Sequence, residues 1–169
     1  MKKTDVSALK DNFFEAISKE WMLITAGTKD HFNTMTASWG CTGWLWGKPV
    51  AVVFIRPERF THEFVEAGDR LTLSFLGHEP AMRKAYNICG SKSGRDTDKV
   101  TEAGLTPVET ETGAVTFSQA RLTLECRKLY KDAIDPKLFL DKDTDKWYGG
   151  AKGGYHDLYI LEILGAWTD

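Results

Sequence analysis

The chain is poor in cysteine, and its three, Cys41, Cys89 and Cys126, lie far apart in 169 residues. No CxxC pair occurs, so neither a zinc knuckle nor a dithiol redox motif can be written. Three unpaired thiols suit a reducing compartment, and each reads as a small buried hydrophobe. Any redox chemistry must therefore come from a bound cofactor. A basic excess is missing too: 22 Lys and Arg stand against 24 Asp and Glu, for a net charge of -2. A phosphate backbone would go unneutralised, which argues against nucleic acid as a partner. Long apolar runs are absent; the longest resemble Val50–Ile55, far too short to span a bilayer. The start, Met1-Lys-Lys-Thr-Asp, has no signal-peptide apolar region, so no membrane partner and a cytoplasmic location are the expectations.

Enzymatic signatures are equally scarce. The four histidines, His31, His62, His78 and His156, share no metal-ligand spacing, and Gly-x-Ser-x-Gly does not occur. There is no Walker spacing and no Rossmann fingerprint, since Gly149–Gly154 does not follow a strand in the G-x-G-x-x-G pattern. What is present is bulk: 42% of residues are hydrophobic, 12% are aromatic, and six are Trp. That excludes disorder and supports one domain over residues 1–169.

Patterning predicts a short helix over residues 10–19, then strands at Trp21–Ala26 and Thr34–Trp39 joined by a polar loop, Gly27–Asn33. A Gly- and Trp-rich connection, Gly40–Pro49, leads to a strand at Val50–Ile55. Thr61 reads as the N-cap of a helix His62–Ala67 that Gly68 ends. Further strands are expected at Arg70–Leu76, Val115–Phe117, Gln119–Tyr130 and His156–Leu164. In Gln119–Tyr130, Leu122, Leu124 and Cys126 should face inward, with Arg121, Thr123, Glu125 and Arg127 outward. Helices are expected at Pro80–Ile88, Asp98–Ala103 and Pro136–Leu140. With no βαβ alternation, the fold class is mainly β, an antiparallel sheet or barrel decorated with short helices.

Three segments carry candidate chemistry. Asn33-Thr-Met-Thr-Ala-Ser-Trp39 is a small-polar strand whose backbone, beside Ala37 and Ser38, lets a flat ligand approach closely; an ordinary surface strand would read alike. Arg56-Pro-Glu-Arg-Phe-Thr delivers Arg56, Arg59 and Thr61 to a helix start, where backbone N–H groups and guanidinium forks suit a phosphate. A capped helix with solvated arginines is the plainer alternative, and Glu58 and Glu63 oppose an anion. Cys89-Gly-Ser-Lys-Ser-Gly-Arg-Asp offers Lys92 and Arg95 in a flexible loop able to form an anion nest.

In this order, Glu20–Ala26, Asn33–Gly40, Val53–Val65, Leu71–Leu76, Gly90–Lys99 and His156–Leu164 resemble the flavin reductase-like family of FMN-binding split barrels, close to its flavoredoxin branch. The resemblance implies a six-stranded antiparallel split β-barrel, homodimeric, with FMN near the subunit interface and NAD(P)H as the electron donor. It assigns the flavin ring to Asn33, Thr34, Met35, Thr36, Ala37 and Ser38, with the backbone of Thr36, Ala37 and Ser38 on its polar edge. It assigns the phosphate to Arg56, Arg59 and Thr61, with Lys92 closing over it. His156 corresponds to a position that in some relatives lies near the nicotinamide, although Gly154-Tyr155-His156 departs from the Gly-Asp-His pattern. No catalytic acid or base is implied, because the flavin performs the chemistry. The activities in view are an NAD(P)H-dependent flavin reductase serving free flavin, ferric complexes or a partner protein, an FMN electron carrier without NAD(P)H turnover, and a non-redox small-ligand barrel.

Overall fold

A computed structural model describes residues 1–168. In chain order it contains β1 (Lys2–Thr4), a 3-10 turn (Val6–Ala8), α1 (Phe13–Glu15) continuing as a π-turn (Ala16–Glu20), β2 (Met22–Thr28), β3 (His31–Ala37), β4 (Gly40–Leu45), β5 (Lys48–Ile55) and α2 (Phe60–Ala67). Then come β6 (Arg70–Phe75), α3 (Pro80–Ser91), α4 (Lys99–Glu102), β7 (Pro107–Glu109), β8 (Val115–Phe117) and β9 (Leu122–Ala133). Three 3-10 turns lie between Pro136 and Lys152, and β10 (Asp157–Thr168) closes the chain's described part.

The fold is mainly β and antiparallel with short helices, as the sequence implies. The strand count is not. The main sheet has eight strands in the order β3-β2-β6-β9-β10-β5-β4, with β1 also on β10, and β7 and β8 form a separate pair. Among the described residues the end strands β3 and β4 do not pair, so the sheet is open and has eight strands where a six-stranded split barrel was expected. Two of the extra strands escape sequence reading for simple reasons. β1 is three residues long, and β4 (GCTGWL) carries two glycines, which lower strand propensity.

Both expected connections prove to be hairpin turns. The β2–β3 loop contracts to Lys29-Asp30, with Thr28 opposite His31. The Gly- and Trp-rich stretch folds into the β4–β5 hairpin around Trp46 (φ 52°) and Gly47 (φ 71°), both in the left-handed region that two-residue hairpin turns use.

Two apolar clusters share β2. Met22, Ile24 and Ala26 join Val53, Leu73, Leu124 and Tyr159 on one face. Leu23 meets Tyr86, Cys89, Leu105 and Phe117 beneath α3 on the other. The first five residues of β9, Leu122 to Cys126, are likewise buried on both faces, which corrects the expectation for Thr123 and Glu125. Both are fully buried, because the β7–β8 pair lies over them. Thr123 shares a hydrogen bond with Thr116 at 2.6 Å, and Glu125 accepts from Thr110 at 2.8 Å and pairs with Arg70 at 3.1 Å. Buried polar groups persist only when bonded in this way. Among the described residues, no helix is long and apolar enough to cross a membrane.

Candidate flavin site

The Asn33–Ala37 strand sits at an end of the sheet. β3 pairs with β2 alone, so its other edge is free of strand partners. Its side chains are nevertheless committed, unlike those of a surface strand. Met35 and Ala37 enter the core, Thr34 bonds Thr25 at 2.8 Å, and Thr36 donates to the Tyr86 carbonyl on α3 at 2.6 Å. What the strand leaves exposed to a ligand is backbone. Beside it lies a cavity of about 210 Å3, lined by Met35 through Trp39, Phe54, Arg56, Arg59 and His156.

A second depression of about 220 Å3 adjoins it and shares Arg59. Its lining includes Glu58, Phe60, Gly90, Ser91, Lys92, Ser93 and Lys99, and Glu58 is the one carboxylate among them. Two cations face this space without an ion-pair partner, the Glu58 carboxylate being bonded to the Gly154 N–H instead. Arg59 donates to the Cys89 carbonyl at 3.2 Å, and Lys99, only 3% exposed, reaches nothing but the Lys92 carbonyl at 3.3 Å. Neither appears in an ion pair among the described residues. Burial lowers both groups, Lys99 to about 8, and the Arg59 charge pushes Lys99 the same way. A buried, unpaired lysine is costly to a fold, and an anion on this spot would remove the cost. Sequence reading missed Lys99; its only signal was a lysine at the start of a short helix, Asp98–Ala103.

The other expected phosphate ligands are placed differently. Arg56 lines the cavity wall, but Nη1 donates to the Gly154 carbonyl at 2.8 Å and Nη2 to the Trp147 carbonyl at 3.2 Å. Lys92 borders the second depression while its ammonium pairs with Glu102. Thr61 is not an N-cap. Helix α2 starts at Phe60 with Arg59 in the cap position and no side-chain cap bond. Thr61 is fully buried and accepts from the Asn33 amide at 2.8 Å. That bond ties β3 to α2, and Gly94 packs so closely on the Asn33 side chain that a Cβ there would overlap it. Asn33 thus locks the strand, the helix α2 and the loop after α3, residues 92–98, into one cradle, the helix α3 running on to Ser91 where a loop from Cys89 was expected. Ser38 is half-buried at the cavity floor.

Aromatic rings crowd the far wall. Trp39 lies 5.1 Å from His156, 5.7 Å from Trp147 and 6.5 Å from Tyr148, centroid to centroid. Burial holds His156 down at about 4, helped by the Arg56 charge, so its imidazole is neutral at pH 7. Among the described residues no group of His, Cys, Asp or Glu is placed to hold a metal. Of three wider grooves, those near Phe64 and Trp44 have no such cation pair, and the one along residues 94–101 sets Arg95 and Lys99 beside Asp96 and Asp98.

No curated protein matches the chain. Solved structures do. A flavoredoxin of Desulfovibrio vulgaris (Miyazaki F) superposes with a TM-score of 0.66 at 20% identity, over 100% of this chain and 77% of that one. An FMN-binding protein from Thermus thermophilus with bound p-hydroxybenzaldehyde gives 0.66 at 21% identity, over 100% and 82%. A Streptomyces globisporus NADH:FAD oxidoreductase in complex with NAD and FAD fragments gives 0.62 at 20% identity, over 89% and 74%. At these identities they establish a shared fold. Residues 14–169 match the family described as "Flavin reductase like domain", and the chain belongs to that family.

Proposed function

We propose that the protein is an FMN-binding oxidoreductase, an NAD(P)H-dependent flavin reductase that passes electrons to free flavin, ferric complexes or a partner protein. The observation that carries this is the pair of cations without an ion-pair partner, Arg59 and Lys99, in a depression adjoining the cavity beside β3. Phosphate fits the cation pair, and a flat ring fits the small side chains of Ala37 and Ser38. One phosphate-sized depression favours FMN over FAD. The bound flavin supplies the redox chemistry. The chain's own residues bind it through the backbone of Thr36, Ala37 and Ser38, and a neutral His156 adds no charge to the ring's surroundings. The S. globisporus relative, crystallised with NAD and FAD fragments, supports a nicotinamide donor.

A carrier without NAD(P)H turnover is the second reading, favoured by the rings of Trp147 and Tyr148 against Trp39 of the cavity lining. The purified protein should be yellow and release FMN on denaturation. Anaerobic NADH or NADPH should bleach it, and FMN or a ferric chelate should restore the colour. Bleaching by dithionite alone would establish the carrier; a colourless protein that ignores added FMN would end both readings.

Affinity should depend on pH. Without ligand, Lys99 loses its proton near pH 8; an adjacent phosphate favours the charged form and raises that value. FMN binding therefore weakens as pH rises through 8, by up to about tenfold per unit, while riboflavin binding stays flat. Lys99→Arg should abolish the slope. Titration calorimetry from pH 7 to 10 checks this, and an FMN affinity that is level across the range would remove Lys99 from the site.

We also propose a homodimer. Trp44 is 73% and Trp46 59% exposed at the tip of the β4–β5 hairpin, beside Leu45 and the unpaired edge of β4. Such a patch calls for a partner, and two-fold pairing is the commonest one. Sedimentation should give twice the 19.0 kDa chain mass; a monomer at micromolar concentration would refute the pairing.

A further inference from the structure

The residues between β9 and β10 form no strand, only three short 3-10 turns, yet they carry Trp147 and Tyr148 against Trp39 and His156 of the cavity lining. Apart from these ring contacts, few bonds hold them there. Besides the Arg56 bonds to the Gly154 and Trp147 carbonyls, Glu58 accepts from the Gly154 N–H at 2.6 Å. The Arg56 guanidinium also lies 5.3 Å from the Tyr148 ring centre. All these anchors come from one turn, Arg56-Pro57-Glu58, directly after β5.

The segment is shaped to receive them. A Cβ on Gly154 would sit 2.9 Å from Glu58 Oε1, and one on Gly153 3.0 Å from Arg56 Nη1. A side chain at either position would push the Glu58 or Arg56 end out of its present place, and Gly153 also has a φ of 87°. Gly149, Gly150 and Gly153 have φ of 84°, 56° and 87°, so the same stretch has the backbone freedom of a hinge.

With the segment in place the cavity holds about 210 Å3. Pockets for drug-sized ligands run from about 300 Å3 upward, and two flat rings stacked on each other need more room than one. A second ring therefore extends beyond this space, next to Trp39, against which Trp147 and Tyr148 pack.

We propose that Arg56 and Glu58 are positioning residues. They latch residues 135–156 as a strap over the flavin cavity and set the aromatic wall against which the planar, uncharged ring of the electron donor lies. This rests on the flavin reading for the donor's identity, but not for the latch itself. It also moves Arg56 away from the phosphate, a role the cation pair Arg59 and Lys99 fills without it.

The test uses Arg56→Ala, Glu58→Ala and Gly154→Ala, with Glu58→Gln as the variant that keeps an acceptor oxygen. Limited trypsin digestion, with and without FMN, reads the strap at Lys142, Lys146 and Lys152. Cleavage there should quicken at least tenfold in the first three variants and stay near wild type in Glu58→Gln. In steady state, KM for NADH should rise about five- to tenfold in the same three, with FMN affinity and its ratio to riboflavin affinity unchanged. Two results would overturn the proposal: strap cleavage at the wild-type rate in all variants, or a loss of FMN over riboflavin selectivity confined to Arg56→Ala. The second would return Arg56 to the phosphate. Should the protein bind no flavin, the flavin reading fails, and the digestion without FMN still decides the latch.

Discussion

Arg59→Ala and Lys99→Ala are each expected to weaken FMN binding by roughly 30- to 1,000-fold, corresponding to about 2–4 kcal/mol for truncating one partner of a charged, hydrogen-bonded pair. Riboflavin, which lacks the phosphate, should bind both variants as it binds the wild type. The two losses should not add in the double variant, because both cations serve one anion. Stability supplies an independent sign. Lys99 is 3% exposed with no anionic partner, so without FMN the variant Lys99→Met should melt at a higher temperature than wild type. A residue kept for folding would show the reverse. The same burial makes the flavin-free protein gain stability as pH rises from about 8 toward 10.5, since the unfolded chain then holds the extra proton. Unchanged FMN affinity in both alanine variants would place the phosphate elsewhere.

The largest stability loss should follow Arg121→Ala, at about 3–5 kcal/mol. Glu20, only 1% exposed, ends the π-turn beneath the sheet. Arg121 donates to it from Nε at 3.1 and 3.2 Å and from Nη2 at 2.6 Å, and also bonds Asp11 at 2.6 Å through Nη1. The Gly77 N–H adds a further bond to Glu20 at 2.5 Å. Without the guanidinium, a buried carboxylate keeps one backbone donor and no countercharge. Typical domains have about 5–15 kcal/mol of total stability, so such a loss would leave many of them barely folded. Urea denaturation reads the effect. Glu20→Gln in the Arg121→Ala background should recover part of it by removing the stranded charge. A loss below about 1 kcal/mol would mean that the pair is open to water.

Most strands were legible because their apolar residues alternate or run together: Trp21–Ala26, Val50–Ile55 and Arg70–Leu76 all lie in strands apart from a terminal residue or so. Glu125 shows where that signal fails. A charged residue in an alternating strand reads as solvent-facing, and only the β7–β8 pair packed over it, unpredictable from β9 itself, makes it buried. Thr61 fails for a related reason. A threonine ahead of an apolar helical run has the local signature of a cap, but its partner is Asn33, 28 residues away. The cradle was legible in outline, since Asn33–Ser38 and Arg59 line or support the cavity. Lys99 was not, because Lys92 and Lys99 look alike in sequence and differ only in burial: one is exposed and paired with Glu102, the other enclosed beside Arg59.

β10 is the last strand in sequence and an interior one in space. It hydrogen-bonds β9 along one side and β5 and β1 along the other. While the chain emerges from a ribosome, β3-β2-β6-β9 and β4–β5 can each assemble, but the flanks of β9 and β5 that will clasp β10 stay bare. Naked strand flanks invite pairing with other chains, and joining partners this distant in sequence is slow. The nascent protein is therefore most vulnerable to aggregation between completing β9 and docking β10, and chaperone demand should peak in that interval.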